Sequence, residues 1–520
     1  MDMKYIQGQN RTQALLFPVC LDEAIEADNE VRLIDVFVDS IELEDFGFRV
    51  DHIDNGRPAY HPSVLLKLYI YGYLNQMRSS RRLEKECKRN IEVRWLLQEL
   101  QPDHNTIANF RKDNPQAIKK VFRETVKMAQ HFELIGGVLI AGDSSKFRAQ
   151  NSKKNNYNQK KIDRHLEYIE RKLEEYNQAL ADNDGDKDQN EEKIQEHQKR
   201  KEHYQKLRQE LNDSDQPQIS TSDPQSRQMI IRNHITEVAY NVQTTVDAQH
   251  NLLIDYKVTN TNDSKAMGNM LRRTKSILGS NKFLALYDKG YHTGSEFNIA
   301  DSLGVEVMVA IPGKPRSSEA PDPSYNVENF LYNPTDNTYT CPQGHILRTN
   351  GTWHKSENGS RFQQYRTSQC KNCPVRPLCT RSEKNGKILQ RRKYAEYIEA
   401  NRQRIEQFPD LYRRRQAIVE HPYGTIKRQW GFSYILTKKG MDRAGSDVGL
   451  MMSAYNLKRI FNIIGFTRLQ EYLSNVIDRF FAQMSPVKLI NDFLRTLFQR
   501  NPKNQIIFQR TSNKLYLCQI

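Results

Sequence analysis

Val138-Leu139-Ile140-Ala141-Gly142-Asp143-Ser144-Ser145-Lys146 opens on an apolar run and turns polar at Asp143. A second stretch repeats the pattern: Phe283-Leu284-Ala285-Leu286-Tyr287-Asp288-Lys289-Gly290-Tyr291. Short apolar runs of this kind read as strands buried on both faces, each ending in an Asp at the sheet edge. A third carboxylate lies far downstream, in Ile418-Val419-Glu420-His421-Pro422-Tyr423-Gly424-Thr425-Ile426-Lys427. Hard cations such as Mg²⁺ take oxygen ligands, often one or two carboxylates plus substrate phosphate. Two Asp and one Glu from distant parts of a chain therefore suggest metal-assisted phosphoryl transfer.

The charge balance names the substrate class. Among 520 residues, 78 Lys and Arg against 63 Asp and Glu give a net charge of +15, which favours polyanions through counterion release. No apolar stretch approaches the roughly 20 residues needed to span a bilayer. The start, Met1-Asp2-Met3-Lys4, has no signal-peptide pattern. Seven Cys, four of them clustered, do not form a disulfide framework in a chain of this size. An intracellular protein is expected.

Around the acids the chain alternates between helical and strand patterns. Pro62 to Leu74 reads as an apolar helix with Pro near its start. Ser79 to Cys87 offers a Ser cap with Glu in the first turns, and Pro102 to Lys112 reads as a short capped basic helix. This suits either helix-turn-helix DNA binding or, slightly better, a plain helical bundle. Ile162, Leu166, Ile169, Leu173, Tyr176 and Leu180 form a heptad seam. With a weaker pattern through Ile194, Tyr204, Leu207 and Leu211, it predicts an antiparallel helical hairpin, a structural or self-association arm. Glu237 to Asp247 alternates as a strand with one polar face, Asn251 to Val258 is its hairpin partner, and Lys265 to Leu278 is an amphipathic helix. Asp247 rivals Asp288 for the second position but reads as a turn residue. From Gly465 onward, Leu469–Phe481 and residues 486–499 suggest helices, and residues 504–518 a short hairpin.

Cys341-Pro342-Gln343-Gly344-His345, Cys370-Lys371-Asn372-Cys373 and Cys379 lie between the second and third acids. Thiolates at this spacing fit structural Zn²⁺, with Cys341, Cys370, Cys373 and Cys379 as ligands and His345 as a possible substitute. The metal would staple a loop-rich module too small for its own core.

The element order, strand with Asp, hairpin, helix, strand with Asp, then a helix near Glu420, is that of an RNase H-like fold. Over residues 45 to 465 the chain resembles the DDE transposases of bacterial insertion sequences. The matching pieces are Pro102-Asp103-His104-Asn105-Thr106-Ile107, Gly142-Asp143-Ser144-Ser145-Lys146, Asp288-Lys289-Gly290-Tyr291, Glu420 to Lys427, and Ser453 to Arg459. The resemblance implies that Asp143, Asp288 and Glu420 are catalytic and hold two Mg²⁺ ions, with Mn²⁺ able to substitute. It implies cleavage at the element's ends and strand transfer into target DNA, by a homodimer in the bacterial cytoplasm, associated with the nucleoid. A Tyr-Arg-Glu-Lys signature surrounds the third acid in this group. Lys427 stands at its expected place, while Tyr412 and Arg415 sit one residue early and Gln416 fills the Arg position. Arg415, Lys427, Arg428 and Trp430 are the expected DNA contacts, although a core Trp is the commoner reading of Trp430.

The expected fold class is α/β with a mixed sheet. A helical DNA-binding domain would cover residues 1–135, and an RNase H-like core residues 136–157 and 216–325. A helical hairpin at 158–215 and a zinc-ribbon-like module at 326–390 would interrupt that core, which resumes at 391–465. Residues 466–520 form an extension. A nuclease of the same fold, or a DNA-binding regulator that has lost catalysis, is the alternative.

Overall fold

The computed structural model describes residues 20–50, 59–181, 187–214, 216–232, 235–313, 319–356, 359–382, 386–483, 510–511 and 514–515. The chain forms two compact units: residues 1–117 with 457–520, and residues 118–456.

The first unit is helical: α1 Glu30–Asp39, α2 Pro62–Leu74, α3 Ser80–Arg89, α4 Ile91–Leu96 and α5 His104–Asp113. Helix α2 is apolar nearly all round and is buried along almost its whole length. Its single charge, Lys67, is neutralised by Asp35 at 2.6 Å and Asp39 at 2.7 Å. Asp103 caps α5 by accepting from the Asn105 and Thr106 backbone N–H groups. Ser79 occupies the N-cap of α3, but its hydroxyl makes no capping bond there. Arg111 is buried, donating to the Tyr73 hydroxyl and the Arg78 carbonyl, so it supports the fold. Arg81, Arg82, Lys85 and Lys88 remain exposed.

The second unit begins within α6 Pro115–His131 and is built on one mixed sheet. Its strands are β1 Leu139–Arg148, β2 Arg227–Arg232, β3 Ile235–Asp247, β4 Leu253–Thr259, β5 Leu284–Tyr287 and β6 Glu306–Val309. Strand β1 pairs antiparallel with β3 and parallel with β5, and β5 pairs parallel with β6. The outer edge of β3 carries β2 and β4 in succession. Leaving out β2, the order is β4-β3-β1-β5-β6, which is the RNase H-like arrangement. Helix α9 (Met267–Leu278) joins β4 to β5, and α10 (Gly294–Ser302) joins β5 to β6.

Two local expectations change. Strand β1 does not end at Asp143; it continues to Arg148, because Ser144 to Arg148 stay paired with Gln243 to Ala239 of β3. Strand β3 has no solvent face either. Asn241, Gln243, Thr244, Thr245 and Asp247 are all buried: Asn241 and Gln243 donate to Asp263, Thr244 meets Tyr423, Thr245 meets Thr274, and Asp247 accepts from backbone N–H groups.

Between β1 and β2, α7 (Gln159–Ala181) and α8 (Lys187–Asp213) pack antiparallel over Ile162, Leu166, Leu207 and Leu211. After β6, short antiparallel strands surround Phe330, Tyr339, Leu347, Tyr365 and Leu389. Three further helices follow, α11 (Ala395–Gln407), α12 (Pro409–Tyr423) and α13 (Met441–Ile464). Two buried asparagines close the sheet edges. Asn401 of α11 bonds both the N–H and the carbonyl of Val309 on β6, and Asn456 of α13 does the same for Leu253 on β4. Covering unpaired strand edges in this way removes templates for intermolecular pairing.

Beyond α13, α14 covers Phe466–Gln483, matching the first expected C-terminal helix. The second, at 486–499, lies outside the described residues. Arg510–Thr511 pairs antiparallel with Lys514–Leu515, inside the expected hairpin, whose other residues are not described.

Candidate active site

The parallel pairing of β1 with β5 brings the first two acids together. The register aligns Ala141 with Leu286, and Asp143 and Asp288 each lie two residues further on. Asp143 is fixed in mid-strand opposite Thr244. Asp288 follows the end of β5 and accepts from the Gly290 N–H at 2.8 Å, capping one turn of 3₁₀ helix. Burial lifts the Asp143 carboxyl to about 6, and the nearby Asp288 and Asp263 carboxylates push the same way. The Ser144 N–H and Arg415 pull against them.

Asp263, which the sequence pattern does not single out, stands beside this pair. A Cβ placed on Gly290 would lie 2.9 Å from Asp288 Oδ1 and 3.5 Å from Asp263 Cβ. Asn241 and Gln243 of β3 each donate to Asp263 at 2.7 Å, and Lys146 of β1 lies 3.3 Å away. Burial raises this carboxyl, but Lys146 and the amide donors outweigh it and hold Asp263 below the usual carboxylate range. The buried polar residues of β3 were the available signal, since alternate positions of a central strand must have partners.

Helix α12 lies over β1 and the end of β5. Tyr412 donates to the Tyr287 carbonyl at 2.9 Å, Arg415 reaches Asp143 at 3.4 Å, and Tyr423 donates to the Val242 carbonyl at 3.0 Å. Val419, on the same face, is buried. Glu420 is exposed and accepts from Gln416 at 2.9 Å. Five residues separate it from Arg415, roughly 140° around the helix at 3.6 residues per turn. The structure thus brings Asp143 and Asp288 together with Arg415 and leaves Glu420 beside them, turned off the sheet-facing stripe.

A π-helical turn, Gly424–Gln429, continues α12. There Lys427 donates to the Ser145 hydroxyl and the Lys146 carbonyl, both at 2.7 Å, and lies over the Phe147 ring. Its ammonium is engaged with β1. Arg428 is exposed. Trp430 is half-buried, with Phe432 at 5.6 Å between ring centroids. Asp247 is fully structural: buried, it accepts from the N–H groups of Gly136, Gly137 and Gln249.

Among the described residues, no group of three or more His, Cys, Asp or Glu side chains is gathered to hold a metal ion. For a hard divalent cation the donor set still fits, because Asp143 sits among other carboxylates with one arginine at 3.4 Å as its cation. For zinc the fit fails. Burial raises the Cys379 thiol, with Cys370, Cys341 and Cys373 near enough to add to the effect, yet no three donors converge. The module also has its own aromatic core, so the reason for expecting a staple falls away, and no zinc role is derived.

The strand order and the paired acids define an RNase H-like α/β protein. A profile described as a transposase domain (DUF772) matches residues 19–113, and one described as a transposase DDE domain matches residues 340–461. The second covers Glu420, while Asp143 and Asp288 lie outside both. No curated protein matches the chain. The two matches together support a DDE transposase of an insertion sequence. Among the described residues, no helix is long and apolar enough to cross a membrane.

Proposed function

We propose that this transposase binds the ends of its insertion sequence, cleaves them, and joins the freed 3′ ends to target DNA. The observation that carries the reading is the placement of Asp143 and Asp288 at one level of adjacent parallel strands, under a helix that bears Glu420. Asp143, Asp288 and Glu420 would hold the divalent cation, Mg²⁺ or Mn²⁺. Such ions, when bound, stabilise an attacking and a leaving oxygen in in-line displacement.

The chain's own groups do the positioning. Asp143 is locked in the ladder of β1 with β3, and Asp288 is held by its 3₁₀ turn. Arg415 holds the Asp143 carboxylate until a cation or a phosphate competes for the two of them. A guanidinium released in this way suits bidentate phosphate contact. Lys427 keeps the π turn against β1, and the exposed Arg428 and the half-buried Trp430 next to it would contact DNA. Two DNA ends must be joined, so the working unit would be a dimer acting on the nucleoid.

The test uses duplex DNA carrying the sequences that flank the reading frame, with Mg²⁺, comparing wild type with Asp143→Ala. Cleavage at inverted-repeat ends by wild type alone, with joined products when target DNA is added, is the expected result. Cleavage without joined products would make the protein a nuclease. Binding without cleavage, with Mn²⁺ also tried, would make it a regulator.

A further inference from the structure

The β4 edge carries a second polar constellation, separate from the acids. The Asp255 carboxylate, fully buried, is gripped by two guanidiniums: Arg123 of α6 at 2.8 Å, and Arg273 of α9 through Nε at 2.5 Å and Nη2 at 2.7 Å. Arg123 also donates to the Ile254 carbonyl and Arg273 to the Tyr256 carbonyl. That much closes the strand edge and explains one carboxylate with one or two arginines.

It does not explain the remaining cations. Arg123, Arg273, Arg272, Ser276 and Ile277 line a cavity of about 340 Å³. Lys119 is half-buried near Arg123, Arg273 and Lys257, and burial followed by the Arg273 charge pushes its ammonium below the usual range. Arg272 is exposed and makes no ion pair among the described residues. Five cations thus crowd around one carboxylate, and like charges held together are destabilising unless an anion joins them.

We propose that this cavity is a binding site for backbone phosphates of duplex DNA, distinct from the acid cluster and resting on the reading of the chain as a DNA-acting transposase. Asp255 fixes the two guanidiniums at the cavity wall, and guanidiniums match phosphate oxygens. Arg272 and Lys119 add mobile charge, and the Ser276 hydroxyl adds a donor. The register sets Asp255 level with Thr245 and Gly142, on the α9 face of the sheet, whereas Asp143 and Thr244 face α12. The cavity would therefore meet a DNA backbone, which bears a charge every ~1.7 Å of axis, on the other face of the sheet from the acids.

The test is the Arg272→Ala/Lys119→Gln double variant, which leaves Asp255, both of its partners and every acid of the site in place. Binding of a duplex bearing the element end is followed by fluorescence anisotropy in EDTA across a salt series, with thermal melting to confirm the fold. The variant should bind about tenfold more weakly. The slope of log K against log salt should shrink by ~1–2, at about 0.9 for each phosphate that is no longer neutralised. Asp143→Ala should keep the wild-type slope. An unchanged slope in the double variant, with wild type binding and cleaving DNA, overturns this site alone and leaves the cations to an acidic protein partner. Failure of wild type to bind DNA overturns the proposed function and this inference together.

Discussion

The closest packing beside the acids is at Gly142, and replacing it tests whether the sheet sets the distance between Asp143 and Asp288. A Cβ on Gly142 would lie 2.0 Å from Cε1, 2.4 Å from Cζ and 2.8 Å from Cδ1 of Tyr287. That ring has nowhere to go: Tyr287 is 1% exposed, and the Tyr291 ring sits 4.8 Å away between centroids. Overpacking a core costs about 1–3 kcal/mol, and an approach this short on a trapped ring belongs at the upper end. Gly142→Ala should therefore lower the melting temperature of a unit this large by roughly 3–4 °C. Relief by moving β1 away from β5 would also part the two acids, so Mg²⁺-dependent cleavage should fall more than DNA binding. Tyr287→Phe keeps all three clashing carbons and should not rescue. Tyr287→Leu removes the ring and should recover part of the stability. Wild-type melting and cleavage in Gly142→Ala would refute the argument, as would rescue by the Phe variant.

Other outcomes follow from the same geometry. The Asp143 carboxyl is raised from 3.8 to about 6, so its contribution to stability is present below pH ~4 and lost as pH climbs through 6. Asp143→Asn should therefore stabilise the metal-free protein at pH 7.5. The ceiling is about 3 kcal/mol for a two-unit shift, less up to ~1 kcal/mol for the weakened Arg415 interaction. Melts in EDTA from pH 4 to 8 check this, and an unchanged pH slope in the variant would count against it. Asp255→Asn strands two guanidiniums at a buried site and should cost about 3–5 kcal/mol in urea denaturation; a loss under 1 kcal/mol would show the clamp to be dispensable. Asp263→Asn removes the partner of Lys146 and should slow cleavage about 10–100-fold and weaken Mn²⁺ binding measured by electron paramagnetic resonance. Wild-type values of both would place Asp263 outside the site.

The sequence revealed most where chemistry and local pattern coincide. Leu284–Tyr287 is a short apolar run with an Asp at its end, and strand, turn and acid all stand in one window of sequence. The hairpin of β3 with β4 and the helix α9 were legible for the same reason. Asp143 stands out in the sequence, but its strand is read too short, because Ser144 to Lys146 look like loop until β3 is seen to pair with them. Asp263 could not be found locally. It sits in an ordinary turn and gains its place from Asn241 and Gln243 about twenty residues away and from Lys146 more than a hundred residues away. The zinc expectation is not supported: Cys341, Cys370 and Cys373 lie near Cys379, but among the described residues no three donors are gathered to hold a metal. It also undervalued Phe330, Tyr339 and Tyr365, aromatic residues that supply the module's core.

The departure around the third acid has a structural reading. Tyr412 and Arg415 are one residue early relative to Glu420, yet both face the sheet, one bonded to β5 and the other to Asp143. Four residues after Arg415, on that stripe, stands Val419, buried where a carboxylate would have met Asp143 directly. Glu420 follows it and is turned toward Gln416 instead. The helix cannot rotate to correct this. Tyr412 at one end, and Tyr423 and Lys427 at the other, bond it to three different strands. Asp143 and Asp288 are therefore fixed by the backbone, and under the proposed function Glu420 would join them by side-chain rotation alone, away from Gln416. The proposed site requires Glu420 to exchange the Gln416 amide for a divalent cation that Asp143 and Asp288 would hold, a change the anchored helix permits and the cation's charge would favour.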